Sequence, residues 1–173
     1  MSKQVFTWMN TKLTEKKSHV GNGTFAGKLI KKGELIAIFG GHVISLDDEK
    51  KLPSSLSDIA IQIEKNFVIG PIDSLQVNNG DFFNHSCDAN AGIKGQVSLY
   101  AMRDIKKGEE VSFDYGTVLF TTNKKPTYKM ECLCGSKNCR RIITDHDWKI
   151  NSLQKKYKGF FPFYIQEKIK KKE

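Results

Sequence analysis

The chain has 173 residues, 39% of them hydrophobic, a net charge of +9 and four cysteines. That length supports one packed domain and not two full-sized ones, and the longest purely apolar run, Leu35 to Phe39, is far short of the roughly 20 residues that span a bilayer. Met1 to Lys17 holds no apolar stretch like that of a signal peptide, so a soluble, intracellular protein with no membrane partner is expected.

From Val20 to Tyr115 short apolar runs alternate with Gly, Pro and Asn, which predicts a mostly β core with short helices. Gly21-Asn22-Gly23 places two glycines around one residue, so the backbone can approach a ligand closely. A plain turn reads equally well there, and the third glycine of a dinucleotide loop is missing. Leu35-Ile36-Ala37-Ile38-Phe39 is continuous like a strand buried on both faces. Ser45 reads as the N-cap of a short helix, with Asp48 at the capping-box position and Pro53 as its stop. Ile59 to Ile63 and Phe67 to Ile69 predict a hairpin around Glu64-Lys65-Asn66.

Asn84-His85-Ser86, taken alone, reads as a hydrogen-bonded turn with a structural histidine. The cysteines carry more information. Cys132, Cys134 and Cys139 stand at C-x-C-x4-C spacing, and with the distant Cys87 they can complete a tetrahedral thiolate site for zinc, leaving no sulfur unpaired. Redox-active thiols or disulfides are the alternative, and they suit a reducing compartment less well. Thr144 to Trp148 resembles a helix start with Asp145 and Asp147 near its positive end, and Trp148, Ile150, Leu153, Tyr157, Phe160 and Phe161 supply an apolar face. Pro162 breaks that run, and Ile165 and Ile169 share one face of a final helix. Residues 154–173 hold seven lysines and two glutamates. Such a tail would contact a polyanion such as nucleic acid, or simply remain a solvated helix end, and no base-reading element accompanies it.

Gly21-Asn22-Gly23, Gly80-Asp81-Phe82-Phe83-Asn84-His85-Ser86-Cys87, Ser112-Phe113-Asp114-Tyr115-Gly116 and the cysteine run, in that order, resemble a SET-domain protein-lysine methyltransferase with a post-SET zinc segment. The resemblance covers Val20 to Arg140, about seven-tenths of the 173 residues. Tyr128-Lys129-Met130-Glu131-Cys132, Asp147-Trp148 and Lys156-Tyr157 further resemble small stand-alone bacterial SET proteins. It implies small curved β-sheets with a pseudoknot, a post-SET zinc knuckle and C-terminal helices. The corresponding division is an N-terminal segment 1–19, a SET domain 20–116, a post-SET segment 117–143, and C-terminal helices with a basic tail 144–173.

The resemblance also implies S-adenosylmethionine as cofactor, held by Gly21, Asn22, Gly23, Phe82, Asn84 and His85, with Tyr115 as the catalytic tyrosine. Phe39, Phe113 and Tyr115 would form the substrate channel, and Cys87, Cys132, Cys134 and Cys139 a structural zinc site. The partner would be a protein, histone or not, bearing a target lysine. The protein would be cytoplasmic in a bacterium, and nuclear in a eukaryote or as an exported effector. Phenylalanine at 39, where many members carry tyrosine, and at 113, the family's Phe/Tyr switch, implies transfer of more than one methyl group. Two further departures are Asp81, where many members have arginine, and Arg141, where Arg-Gly commonly follows the last cysteine. Asp81 and Phe39 leave open a SET-like module that binds protein or nucleic acid without catalysis.

Overall fold

Short strands of two to six residues are the commonest regular element, and the computed structural model, describing residues 6–171, arranges them as four small antiparallel sheets. Met1 to Val5 of the expected N-terminal segment, and the end of the basic tail, lie outside the described residues. In chain order the strands are β1 (Trp8–Met9), β2 (Leu13–Ser18), β3 (Gly21–Ala26), β4 (Leu35–Ile38), β5 (His42–Ser45), β6 (Ile61–Glu64), β7 (Phe67–Gly70), β8 (Ala91–Lys94), β9 (Ser98–Ala101), β10 (Glu110–Val111), β11 (Lys129–Glu131) and β12 (Ile142–Thr144). The sheets run β1-β4-β9-β8, β10-β3-β2, β5-β7-β6 and β11-β12. Residues 8–18 therefore add strands to two of these sheets.

One apolar cluster joins the first three sheets. Ile36, Ile93, Leu99, Ile105 and Val111 are fully buried in it, and Phe39, Phe83 and Phe113 carry it toward the candidate site. Burial on both faces of β4 holds for Ile36 and Ala37, whereas Ile38 is exposed opposite Trp8 in the register with β1. The expected hairpin is present as β6 and β7, and it begins at Ile61 because the Ile59 and Ala60 amides donate to the Leu56 and Ser57 carbonyls of the preceding turn.

Ser45 caps α1 (Leu46–Glu49), accepting the Asp48 amide at 3.1 Å, while the Asp48 carboxylate accepts from the Ser45 hydroxyl at 2.7 Å and not from its backbone. The helix ends at Glu49, before the expected proline stop. Pro53 instead opens α2 (Ser54–Ser57), where its fixed φ suits a first turn.

The expected helix start at 144–148 is a correction as well. Asp147–Lys149 forms a single 3-10 turn, and α3 begins later, at Asn151–Lys156. Asp145 accepts the Thr127 and Tyr128 amides, and Asp147 pairs with Arg140, so neither carboxylate acts as a helix-start charge. After Pro162 comes α4 (Phe163–Lys170). Trp148, Leu153, Tyr157, Phe161, Tyr164 and Ile165 form a second buried cluster against Ala89 and Phe120, while Ile150 stays exposed. Residues 144–171 thus pack on the β core. Among the described residues no helix is long and apolar enough to cross a membrane.

Candidate functional site

The strip Asn84-His85-Ser86 runs in parallel beside Phe113, with the Phe113 amide donating to the Asn84 carbonyl at 3.3 Å and the Ser86 amide to the Phe113 carbonyl at 3.2 Å. This pairing fixes where each side chain points. The Asn84 amide donates to the Asn22 carbonyl at 3.0 Å and to the Glu110 carboxylate at 2.7 Å, and Glu110 accepts from the Ser18 hydroxyl at 3.1 Å as well. Gly21-Asn22-Gly23 is the start of β3, not a free turn. A Cβ at Gly23 would run into the Glu110 carboxylate and approach the Asn84 amide to 2.8 Å, so any larger residue would have to push these two hydrogen-bonded side chains aside.

His85 is held at both ring nitrogens. Its Nδ1 lies 3.1 Å from the Tyr115 amide, which can only donate, so Nδ1 accepts and the proton of the neutral ring sits on Nε2, 3.3 Å from Cys87 Sγ. Burial lowers its pKa to about 4, and the neighbouring Arg140 adds to this while Asp114 opposes it. The contact between His85 and Asp114, 3.7 Å apart, is therefore one between a neutral ring and a carboxylate. Asp114 is fully buried and takes a bidentate pair from Arg140, at 2.7 and 2.6 Å, plus the Gly116 amide at 3.0 Å. Arg140 also reaches Asp147 at 2.9 Å. One guanidinium thus joins the strip before Tyr115, the cysteine segment and the turn that leads into α3.

Tyr115 donates its hydroxyl to the Phe83 carbonyl at 2.8 Å. The ring is partly exposed, but burial of the hydroxyl pushes the phenol well above its ordinary pKa. Its ring centroid lies 4.9 Å from that of Phe113, which is 6.0 Å from Phe39, and Phe39 is 5.8 Å from Phe83. Phe39, Phe113 and Tyr115 therefore share one aromatic wall. It faces a cleft of about 1360 Å³ that Asn22, Phe82 and Asn84 also line, a volume larger than a single small-ligand pocket of roughly 300–1,000 Å³ needs. A second cavity of about 270 Å³ shares Asn84 with the cleft and is lined by His85, which does not line the cleft, and by His19, Arg103 and Glu110.

Asp81, the departure from arginine, belongs to a capping box: its carboxylate accepts the Asn78 amide at 2.9 Å, closing the turn Asn79–Asp81. A carboxylate orders this loop from within, and it also lines the cleft.

All four cysteines are free thiols. Cys87, Cys132 and Cys134 bring their sulfurs, together with a His85 ring nitrogen, within 4.8 Å of one another. Cys139 packs against the same group, but its thiol is directed at the Cys132 carbonyl at 3.6 Å. The donor chemistry decides between His85 and Cys139 as the fourth ligand. His85 Nδ1 is taken by the Tyr115 amide and Nε2 carries the proton, so the ring offers no lone pair and acts as an N–H donor to Cys87. A four-thiolate zinc site then needs the Cys139 side chain to turn toward its neighbours. Burial pushes the Cys87 thiol up to about 11, and a divalent cation would reverse that preference. The residues present fit zinc.

Glu110, Asp114, Arg140 and Asp147 are the contact residues that motif reasoning overlooks. Arg140 and Asp147 carried a signal, as charged residues next to a metal motif and a tryptophan, while Glu110 had none until β10 was placed beside β3.

A family profile described as SET domain matches residues 21–116. The chain is 30% identical over 137 residues to histone-lysine N-methyltransferase ASHH3 of Arabidopsis thaliana, covering 71% of this chain and 35% of that protein. It is also 30% identical over 140 residues to histone-lysine N-methyltransferase trithorax of Drosophila virilis, covering 73% of this chain but 3% of the other. The chain therefore spans a small part of the length of these relatives. Among solved structures, KRYPTONITE in complex with mCHH DNA, H3(1-15) peptide and SAH superposes with a TM-score of 0.60 at 22% identity, over 78% of this chain and 30% of that one. That likeness carries the fold.

Proposed function

The chain belongs to the SET-domain family, and on that premise we propose that it methylates lysine amines of protein substrates with S-adenosylmethionine. The observation that carries this reading is the convergence of Tyr115, Phe113 and Phe39 on a cleft whose rim is held by Asn84 and His85. The bound SAH in the related structure supports the choice of cofactor.

When bound, S-adenosylmethionine supplies a sulfonium methyl that is already electrophilic. Gly21, Asn22, Gly23, Phe82, Asn84 and His85 would hold it. The chain's own task is alignment and exclusion of water. A lysine with pKa of about 10.4 must lose its proton first, which costs about 4.6 kcal/mol at pH 7. The aromatic wall favours the neutral amine by desolvation. Tyr115, kept neutral by burial and oriented by the Phe83 carbonyl, positions that amine as a hydroxyl and not as a base.

Zinc on Cys87, Cys132, Cys134 and Cys139 would be structural, tying the segment after β10 to the cofactor loop. Residues 20–116 would then form the catalytic domain, 117–143 the post-SET segment and 144–173 the C-terminal helices. The substrate is a protein with an accessible lysine, for which the H3 peptide bound by the related structure is one example. The lysine-rich tail would add contact with a polyanion, which includes nucleosomal DNA.

Neither Phe39 nor Phe113 bears a hydroxyl to hold a water where a further methyl must fit, so the product set extends beyond monomethyl-lysine. Phe113→Tyr is expected to shift products toward monomethyl-lysine, and mass spectra showing only that product from the wild type after exhaustive turnover would refute this part. The test of the activity is transfer from labelled S-adenosylmethionine into histones and a whole-cell extract. Transfer is expected from the wild type and is lost in Tyr115→Phe. Absence of transfer by folded, zinc-loaded protein would leave the chain a binding module.

A further inference from the structure

Lys156 and Tyr157 close α3, beyond the segment that the family profile matches, and both reach back to the loop that follows His85. The Tyr157 hydroxyl, on a side chain 1% exposed, accepts the Ala89 amide at 3.2 Å and donates to the Cys87 carbonyl at 3.3 Å. The Lys156 ammonium donates to that carbonyl at 2.8 Å and to the Asp88 carboxylate at 2.6 Å. Cys87 is thus gripped from two directions. Its carbonyl takes two donors from the end of α3, and its sulfur takes the Arg140 amide and the His85 ring, each at 3.3 Å.

We propose that Tyr157 and Lys156 are positioning residues that clamp the Cys87–Ala89 loop from outside, so that docking of α3 and occupancy of the cofactor and metal sites form one linked equilibrium. The physical ground is the short covalent path. Only Ser86 separates the clamped Cys87 from His85, whose ring orients the Tyr115 amide, and Cys87 itself supplies a sulfur to the metal group. Removing the Tyr157 hydroxyl leaves the buried Ala89 amide without its acceptor, so the loop must shift to find water. Coupling of this kind is reciprocal: cofactor binding stabilises the docked helix to the degree that docking favours cofactor. The cofactor arm rests on the methyltransferase reading, and the metal arm does not.

Tyr164 supplies the control, because its buried hydroxyl sits in the same C-terminal region but donates to the Gln62 and Val118 carbonyls, away from the loop. The experiment uses the full, zinc-loaded chain and measures SAH affinity by calorimetry and the rate of zinc loss to a chromophoric chelator. Tyr157→Phe is expected to weaken SAH binding about tenfold and to speed zinc loss by a similar factor. Tyr164→Phe is expected to lower the melting temperature with both readouts unchanged. Lys156→Ala should reproduce part of the effect and Lys156→Arg restore it, and this pair decides the matter if Tyr157→Phe does not fold. Equal shifts in Tyr157→Phe and Tyr164→Phe, or no shift in either, overturn the proposal. Wild-type protein that binds zinc but no SAH overturns the methyltransferase reading and leaves zinc loss to judge the clamp. Wild-type protein that takes up neither overturns both.

Discussion

Among the described residues, neither the Tyr115 phenol nor the His85 ring beside it is poised to accept a proton near neutral pH. Burial raises the phenol's pKa, so its proton stays on through the physiological range, and the His85 ring is neutral with its one lone pair already engaged by the Tyr115 amide. On the methyltransferase reading, deprotonation of the target lysine then falls to solvent before binding. The fraction of neutral amine rises tenfold per pH unit below its pKa of about 10.4, so log kcat/KM is expected to climb with unit slope between about pH 7 and 9. A bell-shaped profile centred near 7 in steady-state assays would reveal a general base other than Tyr115 and His85. Arg141 offers a second test at this scale. It is the sole described non-glycine residue at positive φ, 67°, at the position where the family commonly places glycine. A side chain there costs about 1–2 kcal/mol, partly offset because glycine gives the unfolded chain more freedom. Arg141→Gly is therefore expected to stabilise the protein by about 1 kcal/mol in denaturant unfolding, and a destabilised variant would mean that the arginine side chain makes up the strain.

Elements were legible in the sequence where local chemistry decides them and hidden where long-range pairing does. The Ser45 cap, the hairpin around Lys65-Asn66 and the Pro162 break each depend on neighbours a few residues away, and each is present. The helix start read at Thr144 failed because Asp145 and Asp147 have partners 17 to 18 and 7 residues back, at Thr127, Tyr128 and Arg140, which no periodicity exposes. Phe39, Phe113 and Tyr115 pack into one aromatic wall from residues the motifs already singled out, whereas the Glu110 carboxylate under Asn84 emerged only with the register of β10 on β3. The joint held by Arg140 has its own consequence. Arg140→Ala would strand Asp114, fully buried, and Asp147, nearly so, as unpaired charges, for which breaking a buried pair typically costs about 3–5 kcal/mol. Arg140→Lys is expected to recover little, since an ammonium cannot bridge both oxygens of Asp114 and still reach Asp147. Thermal melts of the two variants check this, and a lysine variant as stable as wild type would show that charge alone suffices.

Across the whole molecule the charge is lopsided: +9 in total, with the C-terminal stretch rich in lysine. Tyr164 and Ile165 bury one face of α4, while Lys168, Lys170 and Lys171 on its far end are exposed. Packing and charge are therefore separable on this helix, because the apolar face anchors it and the lysines project into solvent. Replacing those three lysines with glutamine is expected to leave stability within about 0.5 kcal/mol, as for surface changes remote from buried contacts. Their effect on a polyanion should be larger. Each lysine that neutralises a duplex phosphate contributes about 0.9 to the slope of log affinity against log salt, so the triple variant should flatten that slope by up to about 2.7. Filter binding to a DNA duplex across a salt series measures it directly. A slope that matches the wild type would mean that these lysines form a solvated helix end, and that any attraction to a polyanion arises from basic residues elsewhere in the chain.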